Sequence, residues 1–498
     1  MTRTTLPLLF GLVCGVPAAR LGAQCPNGSP PPCARQAPNA PSTNSVAVLY
    51  FTARDTSDAY LADGLTEDVA TLLGDVPGVQ VQSPSVVRRA QRDSPQDLRA
   101  IGRALRVRYL VDGTVRRAGD RLRVSMRLVV AGSGVTTWGE LFDRAPEELL
   151  ALPSVIAREV ASRVGATAGS GERPIRSRLR TTSPAAYDHY LRGNFLLTSR
   201  SVDGMSRALG EYAEAERLDS GFTAAIGRAA YTYALARASV GLPGVPFDSL
   251  ATLGLVVADR ALRRDSSSSD AWMARGFLLA YAHPKTFSGA TEAFQRAILL
   301  DPNNAEAHHQ YAQILSWLGR YAEGERQLRL ALAIDSGRAV SYSDLAFTVR
   351  DRAAALRIVD SAVLLDPSSA LFRHRRAVVR LWVGDVTGAE ADEEFAGRLA
   401  PRNSRIESTL AIAFARSGDT TRARRLIPSA TTGSLESMYA GAALLAIGDT
   451  AAALDRLEHA PPDPGSWSLL QWPWFDGLRG NPRFERLVAA VQPVPSPE

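Results

Sequence analysis

Residues able to do chemistry are scattered along this chain of 498 residues, and none of them falls into a recognised catalytic spacing. The sequence has no phosphate-binding glycine loop, no paired-glycine dinucleotide turn, no serine nucleophile elbow and no His-Glu-x-x-His zinc helix. We therefore expect no catalytic residues, no cofactor and no enzymatic activity.

The six histidines do not form a metal-ligand pattern. His308 and His309 are adjacent, and neighbouring side chains on a helix point about 100° apart, so they do not ligate one metal ion from one helix face. A packing role is the better interpretation, and we predict no metal site.

Acidic residues offer a different kind of site. Asp63 and the acidic pair Glu67 and Asp68 lie on the first predicted helix, and Asp143 follows a predicted strand. If strand ends bring these carboxylates together, they form a cleft for a small ligand. A packing role for an acidic pair on one helix is the simpler interpretation.

Arginines alternate with apolar residues in a predicted hairpin. Strict alternation of apolar and charged residues means that one face of the hairpin is buried and the other is exposed to solvent. The arginines are therefore either a solvated face, which we favour, or a contact for an acidic partner or lipid headgroups. They are Arg116, Arg121, Arg123 and Arg127.

The composition is that of a folded protein of more than one domain, with 45% hydrophobic and 22% charged residues. Lys285 is the only lysine among 57 basic residues, and the formal charge is only +6. The use of Arg in place of Lys indicates the compositional bias of a GC-rich genome. Since the net charge is small for this length, we predict no nucleic-acid partner.

The amino terminus has the features of an export signal. An apolar run from Leu6 to Ala19 follows Arg3 and is too short to span a bilayer. We predict cleavage after Ala23 and a periplasmic or secreted protein without a transmembrane span, although peripheral association with the envelope is compatible with this.

Two cysteines remain after that cleavage. Cys25 and Cys33 flank a proline-rich stretch, and an even number of cysteines in an oxidising compartment favours one small disulfide loop. Two free thiols are one alternative. Lipidation of Cys25 is another, but Gln24 stands where a lipobox has Gly, Ala or Ser.

The first third of the chain alternates between strand and helix patterns. Ser94 and Pro95 have the residue types that cap and begin a helix. The predicted order is βαβαβββα, an α/β domain with a mixed sheet. The predicted elements are strand 45–51, helix 60–73, strand 79–81, a helix from 94, strands 109–115, 122–128 and 135–142, and helix 149–164.

Several short motifs follow one another in the first domain. They are Tyr60 to Asp68, Ile101 to Leu105, Val107 to Leu110, Gly113 to Arg116, Gly119 to Arg121, and Trp138 through Arg144. In this order the motifs resemble the TolB-like (FlgO-like) amino-terminal domain of bacteria, and the resemblance covers about residues 45–164. It implies a domain that is often tied to a kinase, cyclase or DNA-binding effector, and no such effector is recognisable here.

The rest of the chain is periodic. Helix stops fall at Pro302, Ser336, Pro367 and Pro401, which are 34, 31 and 34 residues apart. A period near 34 is typical of a helix-turn-helix solenoid, in which stacking of the units supplies the core. Arrays of this kind bind other chains far more often than they catalyse reactions.

These repeats resemble tetratricopeptide units, with about eight copies. Small residues occupy the helix crossings, as at Gly193 and Ala208, and glycines such as Gly384 occupy the turns. Arg192, Arg275 and Arg376 depart from the family's aliphatic preference. The resemblance places these residues on the concave groove: Tyr187, Tyr190, Tyr231, Phe277, Tyr281, His309, Trp317, His374 and Trp382.

The sequence thus predicts an α/β domain followed by an all-α tetratricopeptide solenoid. We expect a non-enzymatic adaptor that binds a protein or peptide partner in its groove. The alternative is a ligand-sensing module whose repeats transmit the signal. The expected segments are signal peptide 1–23, linker 24–44, α/β domain 45–166, linker 167–183, repeats 184–460 and carboxy-terminal cap 461–498.

Overall fold

The computed structural model describes residues 42–165, 181–239, 241–428, 433–461 and 463–494. The predicted signal peptide, Cys25 and Cys33, and most of the predicted linker 167–183 lie outside these residues. Within them, no helix has the length and apolar character needed to cross a membrane.

The amino-terminal half contains a mixed β-sheet, as predicted. The strands lie in the order β3-β1-β4-β5-β6, with β2 pairing on β4. Strands β1, β3 and β4 are parallel neighbours, while β4, β5 and β6 form antiparallel pairs. The strands are β1 (Ser45–Val48), β2 (Thr52–Ala53), β3 (Gln80–Val81), β4 (Tyr109–Ala118), β5 (Arg121–Val130) and β6 (Val135–Arg144).

Helices cover the two faces of this sheet unequally. On one face, Leu65 of α1 and Ile156 of α4 are buried in one core with Val124 of β5. On the other face, α2 and α3 form a smaller core around Leu110 and Val129. The four helices are α1 (Ala59–Gly74), α2 (Pro84–Asp93), α3 (Leu98–Leu105) and α4 (Leu152–Arg163).

One predicted helix start is wrong. The residues predicted to begin a helix at Ser94 and Pro95 instead end α2, whose last hydrogen bond runs from the Ser94 amide to the Ala90 carbonyl. After a turn with Gln96 at φ 74°, the next helix begins at Leu98, capped by the Asp97 carboxylate. Helix α2 was not predicted, because few of its residues are apolar.

Helices α5 to α20 form eight consecutive pairs, which confirms the predicted all-α solenoid. The pairs are α5 (Pro184–Leu197) with α6 (Val202–Leu218), α7 (Thr223–Ala238) with α8 (Leu250–Arg264), α9 (Ser269–Ala282) with α10 (Ala290–Leu300), α11 (Ala305–Trp317) with α12 (Tyr321–Ile334), α13 (Ala339–Thr348) with α14 (Arg352–Leu365), α15 (Ala370–Val383) with α16 (Val386–Leu399), α17 (Ser404–Arg416) with α18 (Thr420–Leu426), and α19 (Ser434–Ala446) with α20 (Thr450–Glu458).

The small residues within each pair let the helices approach closely. A Cβ atom added to Gly193 would lie 2.5 Å from the ring of Tyr212. In the turn between α15 and α16, Gly384 has φ 84°, a left-handed conformation that favours glycine. The three arginines that depart from the family pattern form ion pairs of 2.6 to 3.0 Å: Arg192 with Asp188, Arg275 with Asp259, and Arg376 with Asp392.

The carboxy-terminal segment, residues 463–494, packs against the repeats. It contains α21 (Ser466–Leu470), a 3-10 helix (Pro473–Leu478) and α22 (Pro482–Val491). The Asn481 side chain caps α22, and Phe484 is fully buried in the core of the last repeats. The Val494 amide donates a hydrogen bond of 2.8 Å to the Lys285 carbonyl, so the segment also contacts the third repeat.

The α/β domain and the first repeats share one hydrophobic core. Leu191 of α5 packs directly against Gly64 of α1, where an added Cβ atom would lie 2.6 Å from a leucine methyl carbon. The Tyr187 hydroxyl donates a hydrogen bond to the Asp68 carboxylate. The two halves of the described chain are therefore joined through buried contacts.

Further polar contacts join the α/β domain to later repeats. The Ser83 hydroxyl donates to the Asp335 carboxylate at 2.8 Å, and Arg92 donates to the Leu365 carbonyl at 3.0 Å. Because Asp335 follows α12 and Leu365 ends α14, helix α2 lies against the loops of the fourth and fifth repeats.

Candidate functional site

The repeats and the carboxy-terminal segment carry a set of half-buried aromatic side chains, which we call the aromatic strip. Three of its residues were predicted to line the groove. Two others come from the carboxy-terminal segment. The strip consists of Tyr281, Trp317, Phe347, Trp382, Trp467 and Trp472.

Ring contacts define two groups within the strip. Tyr281, at the end of α9, meets Trp317, at the end of α11, edge-on with ring centres 5.7 Å apart. Phe347, Trp382 and Trp472 form a second group, with ring centres 4.9 to 5.4 Å apart. The Phe347–Trp472 pair is tilted and the other three contacts are edge-to-face, an arrangement that is favourable at these distances and restrains the rings of each group.

The carboxy-terminal segment packs against residues of the aromatic strip. Gly465 lies against Trp317, and an added Cβ atom would be 2.9 Å from the indole nitrogen. The ring of Trp467 packs on Gly319, where an added Cβ atom would be 2.8 Å away. The aromatic strip is therefore formed both by repeat helices and by the segment that follows them.

The structure buries six of the nine predicted groove residues, which were expected to expose their rings. Tyr190 lies 5.1 Å from the Phe222 ring, and Tyr231 donates to the Glu306 carboxylate. The remaining three are partly accessible and belong to the aromatic strip. The buried residues are Tyr187, Tyr190, Tyr231, Phe277, His309 and His374, and the accessible ones are Tyr281, Trp317 and Trp382.

Two indole nitrogens in this region have unsatisfied donors. Trp382 and Trp474 each bury an Nε1–H that finds no acceptor among the described residues. A buried donor without an acceptor costs about 1–3 kcal/mol. The Trp474 ring lies 5.4 Å from the Trp472 ring, so both donors are close to the aromatic strip.

A buried polar network adjoins the strip. The Glu306 carboxylate accepts hydrogen bonds from Tyr231, from Arg338 and, at 2.7 Å, from the Gln310 amide. Burial opposes ionisation of Glu306, but the Arg338 guanidinium beside it holds the pKa of this carboxyl well below its usual range. Glu306 is therefore a fixed negative charge in the interior of the repeats.

The same network extends to the strip through one arginine. His309 shares a hydrogen bond of 3.0 Å with the Ser341 hydroxyl, and burial lowers its pKa. Asp344 lies 3.4 Å from His309 and accepts a hydrogen bond of 2.8 Å from Arg375. The Arg375 guanidinium lies 4.9 Å from the Phe347 ring centre, a cation–π distance.

His374 pairs with a buried glutamate. Its Nδ1 lies 2.7 Å from an oxygen of Glu393. Burial lowers the pKa of His374 well below its usual value, and burial next to Asp392 raises the pKa of Glu393 well above its own. We infer a protonated carboxyl that donates to a neutral imidazole, which is a packing arrangement between α15 and α16.

The acidic residues of the alternative site do not converge. Asp63 forms an ion pair with Arg88 at 3.1 Å, whereas Asp143 pairs with Arg121 and Arg123 on the sheet. An open depression of about 320 Å³ does lie on the sheet. It is lined by Arg54, Thr114, Val115, Arg116, Arg123, Ser125 and Leu141.

The predicted arginine stripe is largely neutralised by neighbouring acids. Arg121 and Arg123 share Asp143, and Arg127 pairs with Asp112. For Arg116, the described part of the chain shows no ion pair. No group of three His, Cys, Asp or Glu residues there is arranged to hold a metal ion.

Sequence reasoning missed three members of the strip. Phe347 directly follows Ala346, the small residue of its helix, and this spacing repeats the spacing of Ala230 and Tyr231. Trp467 and Trp472 were assigned to a terminal cap, because sequence alone does not show that this segment turns toward the repeats. The Trp-Pro-Trp motif at 472–474 was the available signal.

Comparison with known proteins supports the repeat assignment. A family model described as tetratricopeptide repeat matches residues 284–344, which extend from the turn after α9 into α13. The chain contains a tetratricopeptide repeat array. The model covers a short part of the chain, and the regular helix pairs on both sides extend the array to eight units.

Among curated proteins, the chain is 28% identical over 292 residues to a Rhizobium meliloti (strain 1021) protein named "Putative adenylate cyclase 3". This match covers 58% of the chain and 43% of the relative, so the chain spans less than half the length of that protein.

Two solved structures are similar to parts of this chain. The Cut9–Hcn1 assembly of APC/C matches 69% of this chain and 63% of its own, with 13% identity and a TM-score of 0.43. The Pseudomonas aeruginosa pilF structure matches 46% of this chain and 98% of its own, with 17% identity and a TM-score of 0.35.

Proposed function

We propose that this protein is a non-enzymatic adaptor of the bacterial cell envelope that binds a protein or peptide partner along its aromatic strip. The aromatic strip is the observation that carries the proposal. Its side chains are half-buried and held in place by one another, so they lose little conformational freedom on binding. Trp and Tyr are the residue types that most often dominate the binding energy of protein interfaces.

Of the nine residues assigned to the groove from sequence, we propose that Tyr281, Trp317 and Trp382 contact the partner directly. The six buried residues support the surface from below.

The envelope location in this proposal rests on the apolar run at the amino terminus. Cleavage after Ala23 would leave the linker and its two cysteines at the start of the mature chain. In the same proposal the α/β domain is TolB-like and serves as a rigid base for the repeats, since the two share a core.

The alternative proposal is a sensing module in which the α/β domain binds a small ligand and the repeats transmit the signal. The shared core between α1 and α5 favours this coupling. The named relative, an adenylate cyclase by its printed name, is compatible with a regulatory role. Against it, Asp63 and Glu67 are paired with Arg88 and do not line an open cleft.

The test is partner capture from envelope extract by the mature protein and two variants. Replacing Trp317 and Trp382 by alanine should weaken capture by about 2 kcal/mol or more, which is about 30-fold, the usual cost of losing hot-spot aromatics. The matched control is Trp272→Ala, because Trp272 is also half-buried but lies outside the strip.

A second control tests the role of charge. Replacing Arg123 and Arg127 by alanine removes two arginines of the hairpin. Capture should then change little, and it should vary little between low and high salt, because an aromatic interface is screened less than a charged one. Loss of capture with this variant, while the tryptophan variant still binds, would move the site to the α/β domain.

A further inference from the structure

A row of positive charges crosses the sheet from β2 to β5. Arg116 of β4 and Arg123 of β5 are directly opposite each other in the antiparallel ladder. Arg54 follows β2, whose parallel register with β4 places it beside Arg116, and its amide donates to the Val115 carbonyl at 3.2 Å. Adjacent strands are about 4.8 Å apart, so three arginines stand on neighbouring strands with no acidic residue between them.

This row breaks the charge pattern of the rest of the sheet. Like charges directly opposite each other destabilise a strand pair. Arg123 is compensated in part, because it donates to Asp143 at 2.9 Å, a carboxylate that also pairs with Arg121. Arg54 and Arg116 form no ion pair and no side-chain hydrogen bond within the described chain. Two arginines of the row are therefore left without a counter-charge in contact among these residues.

A row of hydroxyl groups lies next to the arginines. Thr114 and Ser125 are opposite each other on β4 and β5, and Leu141 is the next residue across, on β6. They stand two residues along their strands from the row of charges, and residues two apart share one face of a sheet. The two rows line the open depression of about 320 Å³, with Leu141, which is 61% exposed, as an apolar part of its wall.

We propose that this depression binds the phosphate group of an anionic ligand, with Arg54 and Arg116 as its main contacts. A guanidinium group donates two parallel hydrogen bonds to phosphate oxygens, and a phosphate monoester carries a charge of about −1.5 to −2 at pH 7. Two unpaired arginines match that charge, whereas one carboxylate would leave one of them uncompensated. The Thr114 and Ser125 hydroxyls are donors for the remaining oxygens, and Leu141 would contact the organic part of the ligand.

The site does not depend on the aromatic strip or on what the strip binds. The phosphate can belong to a small soluble molecule or to a lipid headgroup, since both present the same group to the arginines. A soluble ligand would give the α/β domain the binding site that the sensing alternative requires. A lipid would instead hold the chain at a membrane surface through the same arginines.

The test is isothermal titration calorimetry of the mature chain with glycerol 3-phosphate, a soluble phosphate monoester. Replacing Arg54 and Arg116 by alanine should weaken binding at least about tenfold, because hydrogen bonds between two charged groups are the strong ones. The matched control replaces Arg121 and Arg127 by alanine. It removes the same charge from the same sheet, but these two arginines already have acidic partners and do not line the depression. This control should bind as the wild-type chain does.

A second arm separates the two sources of phosphate. Vesicles of phosphatidylcholine with phosphatidic acid present the same phosphate monoester on a lipid surface, and binding is measured by sedimentation. Binding of glycerol 3-phosphate that the Arg54 and Arg116 variant loses identifies a soluble ligand. Binding to the vesicles alone, lost in the same variant, identifies a lipid.

Three results would overturn the proposal. The first is absence of binding in both arms. The second is binding that the Arg54 and Arg116 variant retains, or that the Arg121 and Arg127 variant loses equally. The third is acetate binding as tightly as glycerol 3-phosphate, because a single carboxylate would then satisfy the site.

Discussion

Replacing Leu191 by alanine should unfold the junction between the two halves of the protein. Leu191 is 2% exposed on α5 and packs against Gly64 of α1. Three side-chain carbons are lost, which removes about 2.4 kcal/mol of transfer free energy at about 0.8 kcal/mol per carbon. Gly64 has no side chain to fill the space, so a cavity cost adds to this, and we expect about 3–4 kcal/mol in total, within the about 2–5 kcal/mol usual for buried leucines.

Hydrogen exchange with peptide-level resolution is the assay. Amides of α1 and of α5 should lose protection together in Leu191→Ala, because both helices belong to one core. Leu457→Ala is the matched control at the other end of the chain, where Leu457 is fully buried against Gly441. It should expose α19, α20 and the carboxy-terminal segment and leave α1 protected. If α1 stays protected in Leu191→Ala while α5 and α6 open, the shared-core argument is refuted.

Three further outcomes are expected. Burial raises the pKa of Asp68 to about 6 from 3.8, so the folded state binds an extra proton between about pH 4 and 6, and the free energy of unfolding falls as pH rises through that range. Asp68→Asn should remove this pH dependence, which is worth up to about 3 kcal/mol, when urea unfolding is measured at each pH. Gly193→Ala should lower the melting temperature by overpacking, at a cost of about 1–3 kcal/mol, whereas Gly210→Ala, where a Cβ atom meets nothing within 4 Å, should raise it. Mass spectrometry with and without reductant should find Cys25 bonded to Cys33 in the exported chain, and a lipid on Cys25 or two free thiols would contradict that.

The repeats could be predicted from sequence because their determinants are local. Small residues at the crossings and glycines in the turns, such as Gly193 and Gly384, constrain each unit separately, and the same constraints recur in each copy. The sheet was predicted for the same reason, since alternation in β4 and β5 depends on one buried face.

The predictions failed where long-range contacts decide the outcome. The sequence identified the aromatic residues of the repeat helices, but it did not show which of them would be buried, because burial depends on segments distant in sequence. Asp68 of the α/β domain covers Tyr187, and Gly465 of the carboxy-terminal segment lies against Trp317. Helix α2 was missed because only Val87 and Ala90 face the core, too few for a helical pattern.

The most direct test of the adaptor proposal is site-specific photo-cross-linking in cells. A photoreactive benzoylphenylalanine would replace Phe347 in the aromatic strip or, as control, Phe395 on α16, which is equally half-buried but lies outside the strip. The adaptor proposal predicts a discrete protein adduct from position 347, lost when Trp317 and Trp382 are also replaced by alanine, and none from position 395. Adducts from position 395 alone, or the same adducts from both positions, would contradict it.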